Sequence, residues 1–346
     1  MALTKATNRM TAGASINVKD YGATGDGVTD DTAAIQAAFD IVRVNGGACS
    51  FEGDKTYICG STLTLHSTST TQKGLAIYFN GAKLDFSGSG MTSGSLLKLG
   101  ADSLAATHDH ELVTINDLRL EGPEAAVTEI STPAGSVIGL ELNNCLRHMV
   151  NNTVVRKCYI GIKTDNTWDL QMNSPLASGC YIGIRVDDTS TYAMWVNPQS
   201  TDNRYAYVIK PSTSGKSISN QTFLNARTEG CDVGVVIDPG VDASRGVVSV
   251  KFINTYSEDT TYDSFRIGLQ WTLAAPTTRN AIALGYVANT DVDGGNWSSE
   301  GNWTATHAPL VFPTSGSTVT GGTYKVPARW NTDIVGRPVK DRFSQQ

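Results

Sequence analysis

A pattern of side chains in the middle of the chain recurs at an interval of 22 residues. Residues 152–162 read Asn-Thr-Val-Val-Arg-Lys-Cys-Tyr-Ile-Gly-Ile, and residues 174–184 read Ser-Pro-Leu-Ala-Ser-Gly-Cys-Tyr-Ile-Gly-Ile. Residues 225–235 repeat the pattern more distantly, as Asn-Ala-Arg-Thr-Glu-Gly-Cys-Asp-Val-Gly-Val. A period of this length is typical of a solenoid, in which every coil buries the apolar face of its neighbour. We therefore predict that Cys158 and Cys180 lie one above the other on successive coils.

The first residue of this pattern predicts a feature of the coil corners. Asn152 and Asn225 occupy corresponding positions, and stacked side-chain amides can satisfy turn carbonyls along a solenoid. We predict an asparagine ladder at one corner, which Ser174 weakens where it takes the asparagine's place.

Composition suits a solenoid and excludes several classes of protein. Charged residues make up 17% of the chain, below the usual fraction of about a quarter, and glycine is abundant. The net charge of −6 and the lack of any run of Lys or Arg argue against a nucleic-acid-binding surface. No apolar stretch approaches the ~18 residues that span a bilayer, and no signal peptide opens the chain. We expect no membrane insertion and synthesis in the cytosol.

The cysteines and histidines do not indicate a metal site. The six cysteines form no pairs at metal-binding separation, and we predict that they are buried, free and apolar in character. His108 and His110 are close in sequence, but no third ligand follows at a suitable spacing. We therefore predict no metal and no cofactor.

The N-terminal part of the chain predicts a strand, a turn and a capping helix. Three glycines between residues 22 and 27 permit positive φ in a tight turn. Asp30 or Asp31 is placed to cap the helix that follows, which we predict over 31–44 from its apolar spacing. The run Asn-Gly-Gly at 45–47 ends this helix.

This segment, with the alternating strands at 46–58, resembles the beginning of the right-handed parallel β-helices of the pectate-lyase-like superfamily, as found in phage tailspikes. The resemblance implies an all-β fold, a single-stranded right-handed parallel β-helix with a short N-terminal capping α-helix. We expect four regions: 1–15, an N-terminal linker or anchor; 16–60, the start of the β-helix with its capping helix; 61–315, the parallel β-helix; and 316–346, an extended C-terminal tail.

The resemblance also implies a function. It suggests a phage tailspike that recognises a bacterial surface polysaccharide, capsule or O-antigen, and depolymerises it as a glycoside hydrolase or a lyase. Such a protein is a parallel homotrimer in the virion tail, attached through its N-terminus to other tail or baseplate proteins. It is synthesised in the host cytoplasm and acts at the bacterial surface. The alternative is a non-catalytic receptor-binding or structural spike. A cellular pectinase is disfavoured, because no His-Gly or Arg-Ile-Lys motif follows Asp187 and Asp188.

A second internal alignment predicts a catalytic site. Residues 223–229 match residues 252–258, and each segment ends in glutamate. On adjacent coils Glu229 and Glu258 would lie about 5 Å apart, near the ~5–5.5 Å that separates the carboxyl groups of retaining glycosidases. Two carboxylates this close raise one pKa, which supplies a general acid. Arg227, on the same strand face as Glu229, and Asp259 complete the predicted catalytic set.

The alternative is that neighbouring coils bring these glutamates together by chance. Several other carboxylates compete for the role, and the sequence leaves open whether the site lies within one chain or between two. The competing residues are Glu121, Glu141, Asp165, Asp169 and Asp202.

Aromatic residues crowd the middle of the chain. Exposed aromatic rings offer flat apolar faces for sugar rings, and the segment 189–202 interrupts the repeat as functional insertions do. We predict that five aromatics bind substrate, with coil packing or a subunit interface as the alternative. These residues are Trp168, Tyr192, Trp195, Tyr205 and Tyr207.

Overall fold

The chain winds around one axis, and successive coils add strands to three parallel sheets. A computed structural model describes residues 15–65, 74–100, 112–124, 135–240, 242, 244–258, 260–268, 286–288, 290–293, 296–298, 308–312, 318–320, 323–326 and 342–345. Every strand pairing within these ranges is parallel, as the sequence predicts.

The first sheet has fourteen strands. They are β1 (Ser15–Asn17), β3 (Gly47–Ser50), β6 (Leu75–Tyr78), β9 (Val113–Asn116), β12 (Met149–Asn151), β15 (Gln171–Asn173), β18 (Thr191–Val196), β21 (Ile218–Leu224), β24 (Gly246–Ile253), β27 (Tyr286–Ala288), β28 (Asp291–Asp293), β31 (Thr318–Thr320), β32 (Thr323–Val326) and β33 (Arg342–Gln345).

The second sheet has ten strands and the third has nine. The second contains β2 (Asp26–Asp30), β4 (Thr56–Ile58), β7 (Lys83–Asp85), β10 (Arg119–Glu121), β13 (Val154–Arg156), β16 (Leu176–Ser178), β19 (Gln199–Thr201), β22 (Arg227–Glu229), β25 (Tyr256–Glu258) and β29 (Asn296–Ser298). The third contains β5 (Leu63–Leu65), β8 (Ser93–Leu99), β11 (Ser136–Asn143), β14 (Ile160–Asp165), β17 (Ile182–Asp187), β20 (Tyr205–Lys210), β23 (Val233–Ile237), β26 (Asp263–Ile267) and β30 (Ala308–Val311).

The strand register confirms the predicted repeat. Ile160 lies opposite Ile182 on the neighbouring coil, two residues after each of the aligned cysteines. Cys158 and Cys180 are both fully buried, and each thiol contacts the carbonyl two residues before it, at 3.3 and 3.4 Å. The backbone N–H of Tyr181 donates to the carbonyl of Cys158, which joins the two coils at this position. Successive coils therefore repeat one local structure.

Side chains at one register position stack along the interior. Trp195, Phe223 and Phe252 are neighbours on three successive strands of the first sheet. Their ring centroids are 5.4 Å and 4.5 Å apart, and all three rings are fully buried. Burial of this aromatic stack is a large apolar contribution to stability at this level of the rod.

An asparagine ladder follows the corner between the first and second sheets. The side-chain amide of Asn225 donates to Asn197 at 2.9 Å and accepts from Asn254 at 2.8 Å. All three residues have positive φ, between 50° and 55°, a conformation that asparagine adopts more readily than most residues. Asn152 has the same conformation but donates to Asp117. The predicted ladder is confirmed at Asn225.

The helix α1 (Thr32–Asn45) covers the N-terminal end of the coils, within one residue of its predicted bounds. Its buried face consists of Ile35, Ala38, Phe39 and Val42. The helix ends at Gly46, whose N–H donates to the carbonyl of Val42. Among the described residues, no helix combines the length and apolar character needed to cross a membrane.

The two candidate cap residues of α1 have different partners. Asp30 accepts hydrogen bonds from the N–H and hydroxyl of Thr32 in the first turn of the helix. Asp31 occupies the cap position but its buried carboxylate accepts from the N–H groups of Thr24 and Gly25, at 2.7 and 3.0 Å. Asp31 therefore fixes the glycine-rich turn and Asp30 satisfies the helix terminus.

The predicted end of the β-helix at residue 315 is wrong. Strands β31, β32 and β33 lie within 316–346 and extend the first sheet. Tyr324 in β32 is buried and packs against Phe312, at 5.0 Å between ring centroids. Pro and charged residues lie between β32 and β33, and they obscured the strand pattern of this region in the sequence. The predicted linker at 1–15 lies outside the described residues except for Ser15, which begins β1.

Candidate functional site

The outer face of the second sheet carries two rows of side chains. Within this sheet, each strand from β4 to β25 has three residues. The middle residue is buried in the core, so the first and third point outward. The first row consists of Thr56, Lys83, Arg119, Val154, Leu176, Gln199, Arg227 and Tyr256. The second row consists of Ile58, Asp85, Glu121, Arg156, Ser178, Thr201, Glu229 and Glu258.

The predicted acidic pair lies on this face. Glu229 of β22 and Glu258 of β25 are direct register neighbours on hydrogen-bonded strands, as the internal alignment predicts. Neighbouring parallel strands are about 4.8 Å apart, so the two side chains leave the sheet at that separation. Two carboxylates at adjacent positions repel each other unless each has a compensating partner.

Each glutamate has such a partner on its own strand. Nη2 of Arg227 is 2.5 Å from Oε2 of Glu229, and the hydroxyl of Tyr256 donates to Oε2 of Glu258 at 2.5 Å. The guanidinium of Arg227 also lies 5.4 Å from the centroid of the Tyr256 ring, within the range of a cation–π contact. These four side chains form one connected group, which we call the acidic pair site.

The acidic pair site is accessible to solvent. The side chains of Arg227 and Glu229 are 41% and 39% exposed, and a large substrate can therefore reach the carboxylates. The partner of Glu229 is a guanidinium and the partner of Glu258 is a phenol hydroxyl, so the two glutamates have different environments. This arrangement places two carboxyl groups side by side, as glycoside hydrolysis requires.

Sequence reasoning missed Tyr256 although the signal was present. The internal alignment that pairs Glu229 with Glu258 also pairs Arg227 with Tyr256, two residues earlier. The alternation of a strand then predicts that the tyrosine faces outward beside the glutamate. The predicted catalytic residue Asp259 lies outside the described residues.

Three of the five predicted sugar-binding aromatics are core residues, which corrects that prediction. Trp195, Tyr205 and Tyr207 are at most 2% exposed, so no ring face is free for a ligand. Trp195 belongs to the interior aromatic stack, and its indole N–H donates to Gln221. Tyr207 donates to the carbonyl of Pro198, and burial raises its pKa well above the ordinary value.

The other two aromatics lie away from the acidic pair. Tyr192 in β18 is 63% exposed, and Trp168 is half-buried in the connection between β14 and β15. The backbone of Trp168 bridges Leu146 and Thr191 on the neighbouring coils. Both aromatics belong to the first-sheet side of the coils, whereas the acidic pair lies on the second sheet. Their contact with a glycan remains a prediction.

Comparisons with known proteins agree with this architecture. Residues 15–83 match the family described as rhamnogalacturonase A/epimerase, pectate lyase-like. Mannuronan C5-epimerase AlgE1 of Azotobacter vinelandii is 71% identical over 31 residues, which are 9% of this chain and 2% of the epimerase. This match therefore covers a small fraction of both proteins.

Solved structures extend the likeness along the chain. The A-module of mannuronan C-5 epimerase AlgE6 from Azotobacter vinelandii has a TM-score of 0.61 at 15% identity, over 95% of this chain and 99% of the module. The phiAB6 tailspike, solved with oligosaccharides of Acinetobacter baumannii surface polysaccharide, has a TM-score of 0.55 at 16% identity, over 87% of this chain and 52% of the tailspike. The fold that the chain shares with these structures is a parallel β-helix. The chain spans about half the length of the phiAB6 tailspike.

A second group of carboxylates lies on the third sheet of the β-helix. Nζ of Lys163 is 3.1 Å from Asp165, 3.3 Å from Glu141 and 3.8 Å from Asp187. Arg185 also pairs with Asp187, at 3.0 Å. Burial raises the pKa of Asp187, and the nearby cations oppose that shift. Sequence reasoning named two of these carboxylates as competitors but did not predict the network.

This network has the properties of a structural ion cluster. Glu141 and Asp187 are buried, and Glu141 also accepts a hydrogen bond from Ser95. Burial opposes the charge of Lys163, but the three carboxylates raise its pKa above the ordinary value. Buried carboxylates that are all paired with cations are less available to a polymer than the half-buried pair at Glu229 and Glu258.

No metal centre is found in the part of the β-helix that the structure describes. No group of three or more His, Cys, Asp or Glu side chains there could hold an ion. The histidines at 108 and 110 lie outside the described residues.

Proposed function

We propose that this chain is the β-helical part of a phage tailspike that binds a bacterial surface polysaccharide and depolymerises it at the acidic pair site. Glu229, which pairs with Arg227, acts as the base or nucleophile, and Glu258 acts as the acid. The protein acts at the bacterial surface as part of the virion tail, as a homotrimer joined to other tail proteins.

The observation that carries this proposal is the adjacency of two half-buried glutamates on the outer face of the second sheet. Their strand separation, about 4.8 Å, is near the distance between the carboxyl groups of retaining glycosidases. The fold is shared with a tailspike solved in complex with surface-polysaccharide oligosaccharides, which supports the substrate class.

The first prediction concerns the variants Glu229→Gln and Glu258→Gln. Each removes one ionisable group but keeps the shape of the side chain, and we expect about 10²–10⁴-fold slower cleavage. The assay incubates protein with capsule or O-antigen from candidate hosts. It measures new reducing ends and the absorbance of unsaturated uronates, because hydrolysis gives the first signal alone and a lyase gives both.

The matched control is Glu52→Gln. Glu52 has the same side-chain exposure as Glu229, 39%, and also pairs with a cation, Lys19 at 2.7 Å. We expect this variant to cleave at the wild-type rate. Full activity in both Glu229→Gln and Glu258→Gln would refute the assignment of the site. Tight binding with no cleavage by the wild type would instead support a receptor-binding spike without catalysis. Light scattering checks the proposed trimer, which requires three times the mass of one chain.

A further inference from the structure

A groove lies at the N-terminal end of the outer face that carries the acidic pair site. It has a volume of about 500 Å³ and is formed by β4, β7, β10 and β13 with the corners before them. Its charged lining comprises Lys55, Lys83, Arg119, Arg156, Asp54 and Glu121. We call it the basic groove, because four cations and two carboxylates line it in a chain whose net charge is −6.

The fold concentrates positive charge in this groove. Lys83 and Arg119 are direct register neighbours on β7 and β10, where like charges repel each other across one strand spacing. Arg156 follows on β13, one strand further along the axis and opposite Glu121 of β10. An anion bound between Lys83 and Arg119 relieves the repulsion between these two cations.

The carboxylates near the groove do not neutralise its arginines. Asp85 pairs with Lys83 at 2.8 Å, and Glu121 pairs with Lys157 at 2.6 Å. Arg119 and Arg156 are exposed, and within the described parts of the chain neither forms an ion pair within 4.0 Å. Two guanidinium groups are thus open to a ligand, and guanidinium matches the planar geometry of a carboxylate.

The basic groove and the acidic pair site lie toward opposite ends of the outer face of the second sheet. Four strand spacings, about 19 Å, separate Arg119 on β10 from Arg227 on β22. The outward residues on the strands between are uncharged apart from Arg156: Val154, Leu176, Gln199, Ser178 and Thr201. A polymer lying along the axis can therefore contact the arginines while another of its units reaches the glutamates.

We propose that the basic groove binds the carboxylates of an acidic polysaccharide, so that the substrate class is a polyuronate or a polymer of similar sugar acids. This inference rests on the proposed function in taking the ligand to be a polysaccharide. Arg119 and Arg156 each hold a carboxylate, and Lys55 and Lys83 add to the positive field.

The test compares polygalacturonate with its carboxyl-reduced form, in which a neutral hydroxymethyl group replaces each carboxylate, by calorimetry at several salt concentrations. The wild type binds polygalacturonate with an affinity that falls as salt rises. The variant Arg119→Ala/Arg156→Ala binds about tenfold or more weakly, because two charge-assisted contacts are lost. Arg119→Lys/Arg156→Lys retains part of the affinity, and the control Lys251→Ala, on the first sheet, binds as the wild type does. Circular dichroism and the melting temperature check that each variant is folded.

Three results would overturn the proposal: no binding of polygalacturonate by the wild type, equal binding of the reduced polymer, or unchanged affinity of the double alanine variant. These outcomes are separate from the cleavage assay. Cleavage of a neutral host glycan that depends on Glu229 would preserve the proposed function and remove the groove assignment. Loss of binding in the groove variants, with cleavage unaffected by Glu229→Gln, would preserve the groove assignment and remove the proposed function of the acidic pair site.

Discussion

Asp31 shows how one side chain can join two elements of this fold. It precedes the helix at the position of a cap, yet both of its oxygens face the glycine-rich turn before it. The hydroxyl of Thr24 donates to the same carboxylate. A buried anion that accepts several hydrogen bonds is stabilising only while every donor is present.

We therefore expect Asp31→Asn to destabilise the protein. The amide nitrogen would face the backbone N–H of Thr24 or Gly25, which leaves a buried donor unsatisfied at a cost of about 1–3 kcal/mol. The measurement is the midpoint of urea unfolding. The control Asp40→Asn, on the exposed side of the same helix, should change stability by no more than about 0.5 kcal/mol. Equal midpoints for the two variants would contradict this role of Asp31.

For single residues, the sequence predicted the register between neighbouring strands better than it predicted which side chains face the core. Glu229 and Glu258 were paired from an alignment of repeats, and the structure confirms that register. Trp195 was assigned to the surface because aromatics are dense around it. The sequence signal for the burial of this ring was the pattern aromatic–aliphatic–asparagine at 195–197, which recurs at 223–225 and 252–254. The last two segments already lay in the alignment, and extending it to 195–197 predicts an inward ring.

The corner between the first and second sheets is an element with its own stabilising contacts. In the ladder at Asn225 each amide donates to the coil before it and accepts from the coil after it. The backbone N–H of Asn225 also donates to the carbonyl of Ile253, on the next coil. The corner therefore couples neighbouring coils outside the sheets.

Substitutions at Asn225 should separate the amide contacts from the backbone conformation. Asn225→Ala loses both amide hydrogen bonds and places an alanine at a φ of 55°, so we expect about 1–3 kcal/mol of destabilisation. Asn225→Gly loses the same bonds but tolerates positive φ. Denaturant unfolding should rank the stabilities as wild type, then glycine, then alanine. A glycine variant less stable than the alanine variant would show that positive φ is not the dominant cost.

The elements differed in how well the sequence predicted them. The helix α1 was predicted within one residue, because caps and apolar spacing are local signals. The ion network of the third sheet was not predicted, because its members are far apart in the chain. Glu141 contacts Ser95, 46 residues earlier, and Lys163, 22 residues later, across coils of unequal length. Such partners appear only when the coils are stacked.

At the scale of the whole molecule, the free cysteines are distributed through the buried core. All six are buried, from Cys49 near the capping helix to Cys231 beyond the middle of the chain. Burial raises the pKa of both Cys49 and Cys231 to about 12. The thiolate is the reactive form, so a folded coil protects its thiol both by exclusion of reagent and by the shift in pKa.

We expect no reaction of the native protein with an aromatic disulfide reagent at pH 8. All six thiols should react after unfolding in guanidinium, because each is exposed and its pKa returns to the ordinary range. The control Ser214→Cys places one thiol on an exposed loop and should react at once. Rapid labelling of a native cysteine in the wild type would show that at least one coil opens without the rest of the rod.

The three-residue strands of the second sheet have a consequence for how such a protein diversifies. Only the central side chain of each strand contributes to the interior, so the two flanking positions are free to vary without disturbing the stack. Under the proposed function, a new glycan preference therefore requires exchanges only along the two outer rows of this sheet. The buried side chains that specify the β-helix then stay unchanged while the outward side chains vary.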